Sequence, residues 1–407
     1  MEKKYWFYLE PHIYVKFQEK EVFLYNTQSG SELKTLDKDC IKLIQGIYEE
    51  EALGCIEIAE KDCSQTSILE FLQQIKRRQM GKIVDVNSVD KKPVVLLPIM
   101  SLNRDVEKIK KKKEPDLELV QDYATYLLDV NIKLNDDCPQ RCKSCNDYYK
   151  QFRCCSRKGD GIMEEETLTK ILNQLNYYTT KNINFIGGNI YQYDNLDIIQ
   201  RFVWRKSKEL HFYTNYLNYI KNEFVDSQKL HILIPFPFDT DRVTEIVAQT
   251  RGLSVTYHLI FDNEEQYREL AECLSENGVE DYIIHPFYNG KNKPFFEENV
   301  FLSKEDILGR TISKREIFRN TKLNANYFGS LYFMPDGTIK AHPDRAVIGD
   351  IHKGRIVDAI HNEMMKNTAW REVREGNPCS SCAYQYLCPP ISNYEHAIGQ
   401  INLCKNE

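Results

Sequence analysis

The sequence predicts an α/β chain built around a partial (β/α)6 barrel. A small winged-helix-like α+β domain precedes the barrel and a cysteine-rich domain follows it. Three observations predict this. Between residue 125 and about residue 300, six apolar runs of strand length alternate with amphipathic helical runs, the pattern of a parallel sheet with right-handed crossovers. Before residue 87, aromatic and β-branched runs come first and helical periods follow. Beyond residue 325, a hairpin signal leads into four spaced cysteines. The expected units are 1–87, a connector at 88–124, the barrel at 125–310 and the cysteine-rich unit at 325–407.

Composition bounds the function. A chain of 407 residues is long enough for two or three domains. Its net charge of −6 leaves no basic footprint for nucleic acid. The one basic run, Lys108-Ile-Lys-Lys-Lys-Lys113, reads as a solvated linker face. No stretch is long and apolar enough to span a bilayer, and Met1–Tyr8 lacks the apolar core of a signal peptide. The expected location is the cytoplasm, where thiols stay reduced. Of thirteen cysteines, seven fall in two spaced groups, which argues for metal ligation over disulfides.

The first unit opens with three strand-like runs, Tyr5–Leu9, Ile13–Phe17 and Glu21–Tyr25. Asn26-Thr-Gln-Ser-Gly30 is a turn signal. Helical periods cover Lys38–Tyr48 and Thr66–Met80, and Gly81 is the expected C-cap before a strand at Lys82–Val86. Cys40, Cys55 and Cys63 show no ligand spacing and read as small core or surface residues. In the connector, Lys92-Pro-Val-Val-Leu-Leu-Pro98 is too proline-flanked for a central strand. The charged stretch Asp105–Glu118 reads as partly helical.

The barrel strands are expected near Leu128–Leu134, Ile183–Ile186, Leu210–Tyr213, Leu230–Phe236, Leu253–Ile260 and Tyr282–Pro286. The clearest helices are Glu164–Leu175 and Asn263–Asn277, with Cys273 on the core side of the latter. Active sites of such folds lie at the C-terminal ends of the strands. The loop after the first strand carries Cys138-Pro-Gln-Arg-Cys142-Lys-Ser-Cys145. Three thiolates on one short loop can each take one iron of a cubane [4Fe–4S] cluster, leaving the fourth iron open to a small molecule. Structural zinc usually closes with four ligands in two separated pairs. The plainer alternative is three buried cysteines that meet by chance. Cys154 and Cys155, between Arg153 and Arg157, follow the loop. Flanking cations would lower a thiol pKa, although an incidental pair beside the site is the preferred reading.

In the tail, Gly329–Gly337 is a hairpin signal with Asp336-Gly337 at its turn. Cys379, Cys382, Cys388 and Cys404, beside Pro378, Pro389 and Pro390, form a ligand pattern for zinc or an iron–sulfur cluster.

The Cys-x3-Cys-x2-Cys spacing of Cys138, Cys142 and Cys145 resembles that of the radical SAM enzymes. In that family S-adenosylmethionine chelates the open iron and is cleaved reductively to a 5′-deoxyadenosyl radical. Asn184-Phe-Ile-Gly187-Gly188-Asn189 resembles the family's Gly-Gly-Glu segment, which lies along the methionine part of the cofactor. His211-Phe-Tyr-Thr-Asn215-Tyr216 resembles its strand ending in Thr-Asn-Gly. The resemblance thus implies cofactor contacts at Ser144, Gly187, Gly188, Asn189 and Asn215. The run Pro335–His342, then Ile348-Gly-Asp-Ile351, then the tail cysteines, resembles the SPASM domain of peptide-modifying members. That implies one auxiliary [4Fe–4S] cluster on Cys379, Cys382, Cys388 and Cys404. A second auxiliary site is lost, with family cysteines falling at or near His342 and at Ser392, so His342 is expected to be an ordinary surface histidine. Phe23-Leu-Tyr-Asn-Thr-Gln-Ser-Gly30 resembles the leader-recognition domain of makers of ribosomally synthesised, modified peptides. The resemblance is greatest to the degenerate pseudo-radical-SAM/SPASM proteins of Bacteroidales-type systems.

Three positions depart from the family pattern: Ser144 replaces an aromatic residue, Asn189 a glutamate and Tyr216 a glycine. Asn189 forfeits a charge-assisted bond to the cofactor amine, a loss of roughly one to two kcal/mol. Two readings follow. The preferred one is an enzyme that cleaves S-adenosylmethionine to modify a ribosomally made precursor peptide, fed by an electron donor. The alternative is a catalytically degenerate protein that binds the leader and serves a partner maturase.

Overall fold

A computed structural model describes residues 3–63, 65–96, 111, 125–140, 142–155 and 161–405. The basic run at 108–113 and the charged stretch at 105–118 lie outside the described residues, apart from Lys111.

The first unit holds two three-stranded antiparallel sheets. One is ordered β5 (Cys55–Ala59), β1 (Lys4–Leu9), β6 (Gly81–Asp85); the other β2 (Ile13–Phe17), β3 (Val22–Asn26), β4 (Glu32–Thr35). Helices Lys38–Ile47 and Thr66–Arg77 close the unit, burying Ile44, Phe71, Leu72 and Ile75 against Phe7, Val22 and Leu24. Asp37 caps the first helix by accepting from the N–H groups of Asp39 and Cys40. The expected cap at Gly81 is displaced. The second helix ends at Arg78 and the left-handed residue is Gln79, at φ 56°. Gly81 instead opens β6, where a Cβ would lie 2.6 Å from the Tyr8 carbonyl oxygen. Cys40 and Cys55 are buried. The start of the connector packs back on this unit, Val95 donating to the Leu53 carbonyl at 3.0 Å.

The body of the protein is a nine-stranded, mostly parallel sheet. Its strands are β7 (Asp129–Lys133), β8 (Asn182–Ile186), β9 (Glu209–Asn215), β10 (Lys229–Pro235), β11 (Val255–Phe261), β12 (Tyr282–Pro286), β13 (Ser330–Phe333), β14 (Thr338–Lys340) and β15 (Val347–Asp350). Their spatial order is β12-β11-β10-β9-β8-β7-β13-β14-β15. The six strands expected from the alternation of runs are β7 to β12, side by side and parallel. The tail hairpin does not stand apart from them: β13 pairs parallel with β7, and β14 and β15 follow antiparallel.

Side chains alternate between the two faces of this sheet. Phe185, Phe212, Ile232 and Leu259 point to the helix-covered face, against Leu168, Ile171, Val243 and Leu270. Ile186, Tyr213, Leu233 and Ile260 point to the other face, which is roofed by Tyr148, Tyr149, Phe152, Cys154 and Cys155 from the cysteine loop and its sequel. Among the described residues no helix is long and apolar enough to cross a membrane.

Candidate functional site

The loop from β7 is fixed at its root by backbone and amide bonds. Leu134 donates to the Ile186 carbonyl, Gly188 donates to the Asn135 carbonyl, and Asp136 donates to Gly161. The Asn135 side chain grips the segment after β8 twice, donating to the Asn189 carbonyl at 2.8 Å and accepting from the Asn189 N–H at 3.2 Å. A buried Lys133–Asp136 ion pair lies at the same root. Gly188 is needed by contact: a Cβ there would sit 2.1 Å from the Asp137 carbonyl oxygen. The glycine pair therefore lets the end of β8 pass directly beneath the start of the loop.

The three cysteines lie together on this loop, Cys138 buried and Cys142 and Cys145 half-buried. Burial, and then the nearby thiols of Cys145 and Cys138, push the Cys142 thiol up to about 11. Two amides aim at the sulfurs: Asn218 Nδ2 lies 3.2 Å from Cys138 Sγ, and Asn215 Nδ2 lies 3.6 Å from Cys142 Sγ. Hydrogen bonds to sulfur and limited solvent access are what tune iron–sulfur centres, so these residues fit such a group. Among the described residues no group of three or more His, Cys, Asp or Glu side chains is placed to hold a metal ion.

The other predicted contacts surround the same loop. Gly187, Gly188, Asn189 and Asn215 are buried, and Ser144 is half-buried at the start of the short helix Cys145–Tyr148. Asn189 is already engaged, because its Oδ1 accepts from the Tyr191 N–H and caps the turn Ile190–Gln192. Asn215 likewise accepts from the Leu217 N–H. Asn218 was not anticipated; the signal was a second asparagine three residues beyond Asn215.

Of the cations flanking Cys154 and Cys155, Arg157 lies outside the described residues and Arg153 is engaged elsewhere. Both cysteines are buried, and burial pushes the Cys155 thiol well above its usual range. Arg153 turns away from them to pair with Asp129 and to donate to Asn184 Oδ1 and Tyr213 Oη. Beyond Tyr213 on the same face stand four hydrogen-bonded histidines, which no sequence spacing announces.

The tail cysteines line a cavity of about 370 Å³. Burial drives the Cys388 thiol to about 12, opposed by Arg374 and reinforced by Cys382, Cys379 and Cys404. Asn402 Nδ2 lies 2.9 Å from Cys404 Sγ, and Cys382 Sγ accepts from the Tyr384 N–H at 3.4 Å. Arg374 holds the walls together. It pairs with buried Glu395 and donates to the carbonyls of Pro389 at 2.7 Å and Ile401 at 3.3 Å. The first unit docks here: Phe23 meets Tyr384 edge-on, and Glu32 bonds Tyr384 and Lys304. His342 is a correction. It is buried against Tyr327 and Tyr332, with a pKa lowered to about 3 by burial and then by Arg345. Ser392 caps the helix Asn393–Ile398 in a reciprocal pair with Glu395.

No protein-family model matches the chain, and no curated protein matches it. Among solved structures it is similar to native anSMEcpe with bound AdoMet, at 13% sequence identity and a TM-score of 0.43. The likeness covers 64% of this chain and 88% of that one.

Proposed function

We propose that the protein is a radical SAM/SPASM-type iron–sulfur protein that modifies a ribosomally made precursor peptide. The observation that carries this is the gathering of Cys138, Cys142 and Cys145 at the C-terminal end of a parallel strand, with the Asn215 and Asn218 amides on their sulfurs. Cys138, Cys142 and Cys145 would hold a cluster, and Cys379, Cys382, Cys388 and Cys404 a second one. Held by Cys138, Cys142 and Cys145, a reduced cluster would supply the electron for reductive cleavage of S-adenosylmethionine. This chain's own residues do the rest. Gly187 and Gly188 give the cofactor close access to backbone. Tyr148, Tyr149 and Phe152 roof the face and keep water from it. The peptide leader adds as a strand to the first unit, whose central strand β3 leaves β2 and β4 as edges. An electron donor completes the reading.

A second reading is favoured by one observation. The Asn189 side chain caps its own turn, and at this position the family's glutamate contacts the cofactor. In that reading the protein binds the leader and serves a partner maturase.

The test is 5′-deoxyadenosine release from S-adenosylmethionine by anaerobically reconstituted, reduced protein, run beside Cys142→Ala. Release that disappears in the variant is the expected result. No release from the unmutated chain, with tail iron retained, would overturn the enzyme reading in favour of the second.

A further inference from the structure

We propose that His211, His231, His258 and His285 form a proton relay, crossing the large sheet from Glu209 at its N-terminal edge to the face beneath the cysteine loop. The four imidazoles sit on β9, β10, β11 and β12, one to each strand. His211 Nδ1 lies 2.9 Å from His231 Nε2, His231 Nδ1 lies 2.9 Å from His258 Nε2, and His258 Nδ1 lies 2.8 Å from His285 Nε2. The same pair of atoms meets at each step, so the chain has one direction throughout.

Register gives the relay its slope. His231 stands level with Tyr213, two residues beyond His211. His258 stands level with Leu233, two beyond His231, and His285 with Ile260, two beyond His258. Each step therefore crosses one strand and advances two residues toward the C-terminal ends, where the cysteine loop lies. At the lower end His211 Nε2 has no hydrogen-bond partner and faces Glu209 Oε2 at 4.0 Å. Glu209 is 28% exposed and pairs with Lys181 and Lys229. At the upper end the His285 ring lies 4.8 Å from that of Phe152, which packs on Tyr148 of the short helix begun by Cys145.

The chemistry is that of neutral imidazole, which carries one N–H and one bare nitrogen. Four in series have two ordered states: every ring protonated on Nε2, or every ring on Nδ1. The Glu209 carboxylate favours the first, because that state directs the His211 N–H toward it. A proton arriving at His285 Nδ1 converts the first state to the second: each ring passes its Nε2 proton to the Nδ1 of the next, and His211 delivers one proton past Glu209 to water, because Lys181 and Lys229 hold that carboxylate ionised. One proton enters and one leaves, no electrons move, and a return transfer resets the chain. The charged groups that face it are Glu209, Lys181 and Lys229 at the lower end, and Arg153 with Asp129 beside its middle, where Tyr213 stacks on His231 at 4.2 Å. Burial first, the neighbouring imidazoles next and Arg153 after them hold His231 and His258 neutral at rest. The relay suits a reaction at the loop that releases or consumes protons under a roof closed to water.

Exchange of the imidazole N–H protons with water tests this. The full chain is labelled with ¹⁵N-histidine and ¹⁵N-leucine and -isoleucine, and read by NMR with no cofactor or turnover. It therefore succeeds or fails separately from the radical chemistry proposed above. The expected result is that all four rings are in the Nε2–H form. Their N–H protons should exchange roughly 100-fold or more faster than the amides of Ile232 and Leu259, which need the strands to open. Glu209→Gln, an edge substitution that leaves the ladder itself intact, is expected to slow that exchange severalfold. Imidazole exchange as slow as those amides would make the ladder a register lock only and overturn the relay. Exchange unchanged in Glu209→Gln would overturn its lower terminus.

Discussion

Mild acid is expected to destabilise the folded chain before any carboxylate is involved. His231, His258, His285 and His342 are held neutral, with pKa values lowered to about 3, 2, 4 and 3. Burial is the main cause at each; neighbouring imidazoles add to it at His231 and His258, and Arg345 at His342. An unfolded histidine titrates near 6.5. Below that pH the unfolded chain takes up protons that the folded chain refuses. The stabilisation is thus complete above 6.5 and is lost as pH falls toward the folded values. Between pH 7.0 and 5.5 each group costs about 1.3 kcal/mol, and the four together on the order of 5 kcal/mol. That is a large part of the 5–15 kcal/mol typical of a folded domain. Asp and Glu in the unfolded chain titrate at about 3.9 and 4.3, so this window isolates the histidines. The assay is urea unfolding of the full chain at the two pH values, repeated with His258→Phe, which should remove about 1.3 kcal/mol of the difference. An unfolding free energy equal or higher at pH 5.5 would refute the reasoning.

Two substitutions test the walls of the two cysteine sites. Gly188→Ala places a methyl 2.1 Å from the Asp137 carbonyl oxygen. Backbone cannot yield as a side chain does, so the loop should shift at a cost of about 1–3 kcal/mol; iron analysis after reconstitution should show iron kept in the tail and lost from Cys138, Cys142 and Cys145. Arg374→Met strands Glu395, which is 3% exposed, without its cation. The expected loss is about 3–5 kcal/mol, seen as an earlier denaturation midpoint together with loss of tail metal.

Much of the fold was written in local pattern, because a buried parallel strand must be apolar over its whole length. That is why β7 to β12 could be placed from composition alone. What failed was decided by distant partners. Glu32-Leu-Lys-Thr35 is too short and polar to announce β4, and it becomes a strand by pairing with β3. Cys55–Ala59 becomes β5 through β1. The Asp336-Gly337 turn announces the tail hairpin, yet nothing local says that Ser330–Phe333 extends the large sheet beside β7. At the site, the cysteines and glycines could be found by spacing, since their chemistry needs them close in sequence.

The histidines are the opposite case. Each alone, in Leu210-His211, Leu230-His231, Tyr257-His258 and Ile284-His285, is an isolated polar residue in an apolar run. Their separations of 20, 27 and 27 residues match no ligand motif. The separations have meaning only as one βα unit each, with every histidine at the third or fourth position of its strand. Isolated imidazoles on a roofed sheet face would be costly, because each buries a donor and an acceptor. Placed one per strand at a constant register offset, each satisfies the next, and the cost is confined to the two ends. Those ends are the half-exposed Glu209 and the underside of the cysteine loop. A polar chain that is satisfied along its length and open at its ends is built to pass something between them, and with imidazole the thing passed is a proton.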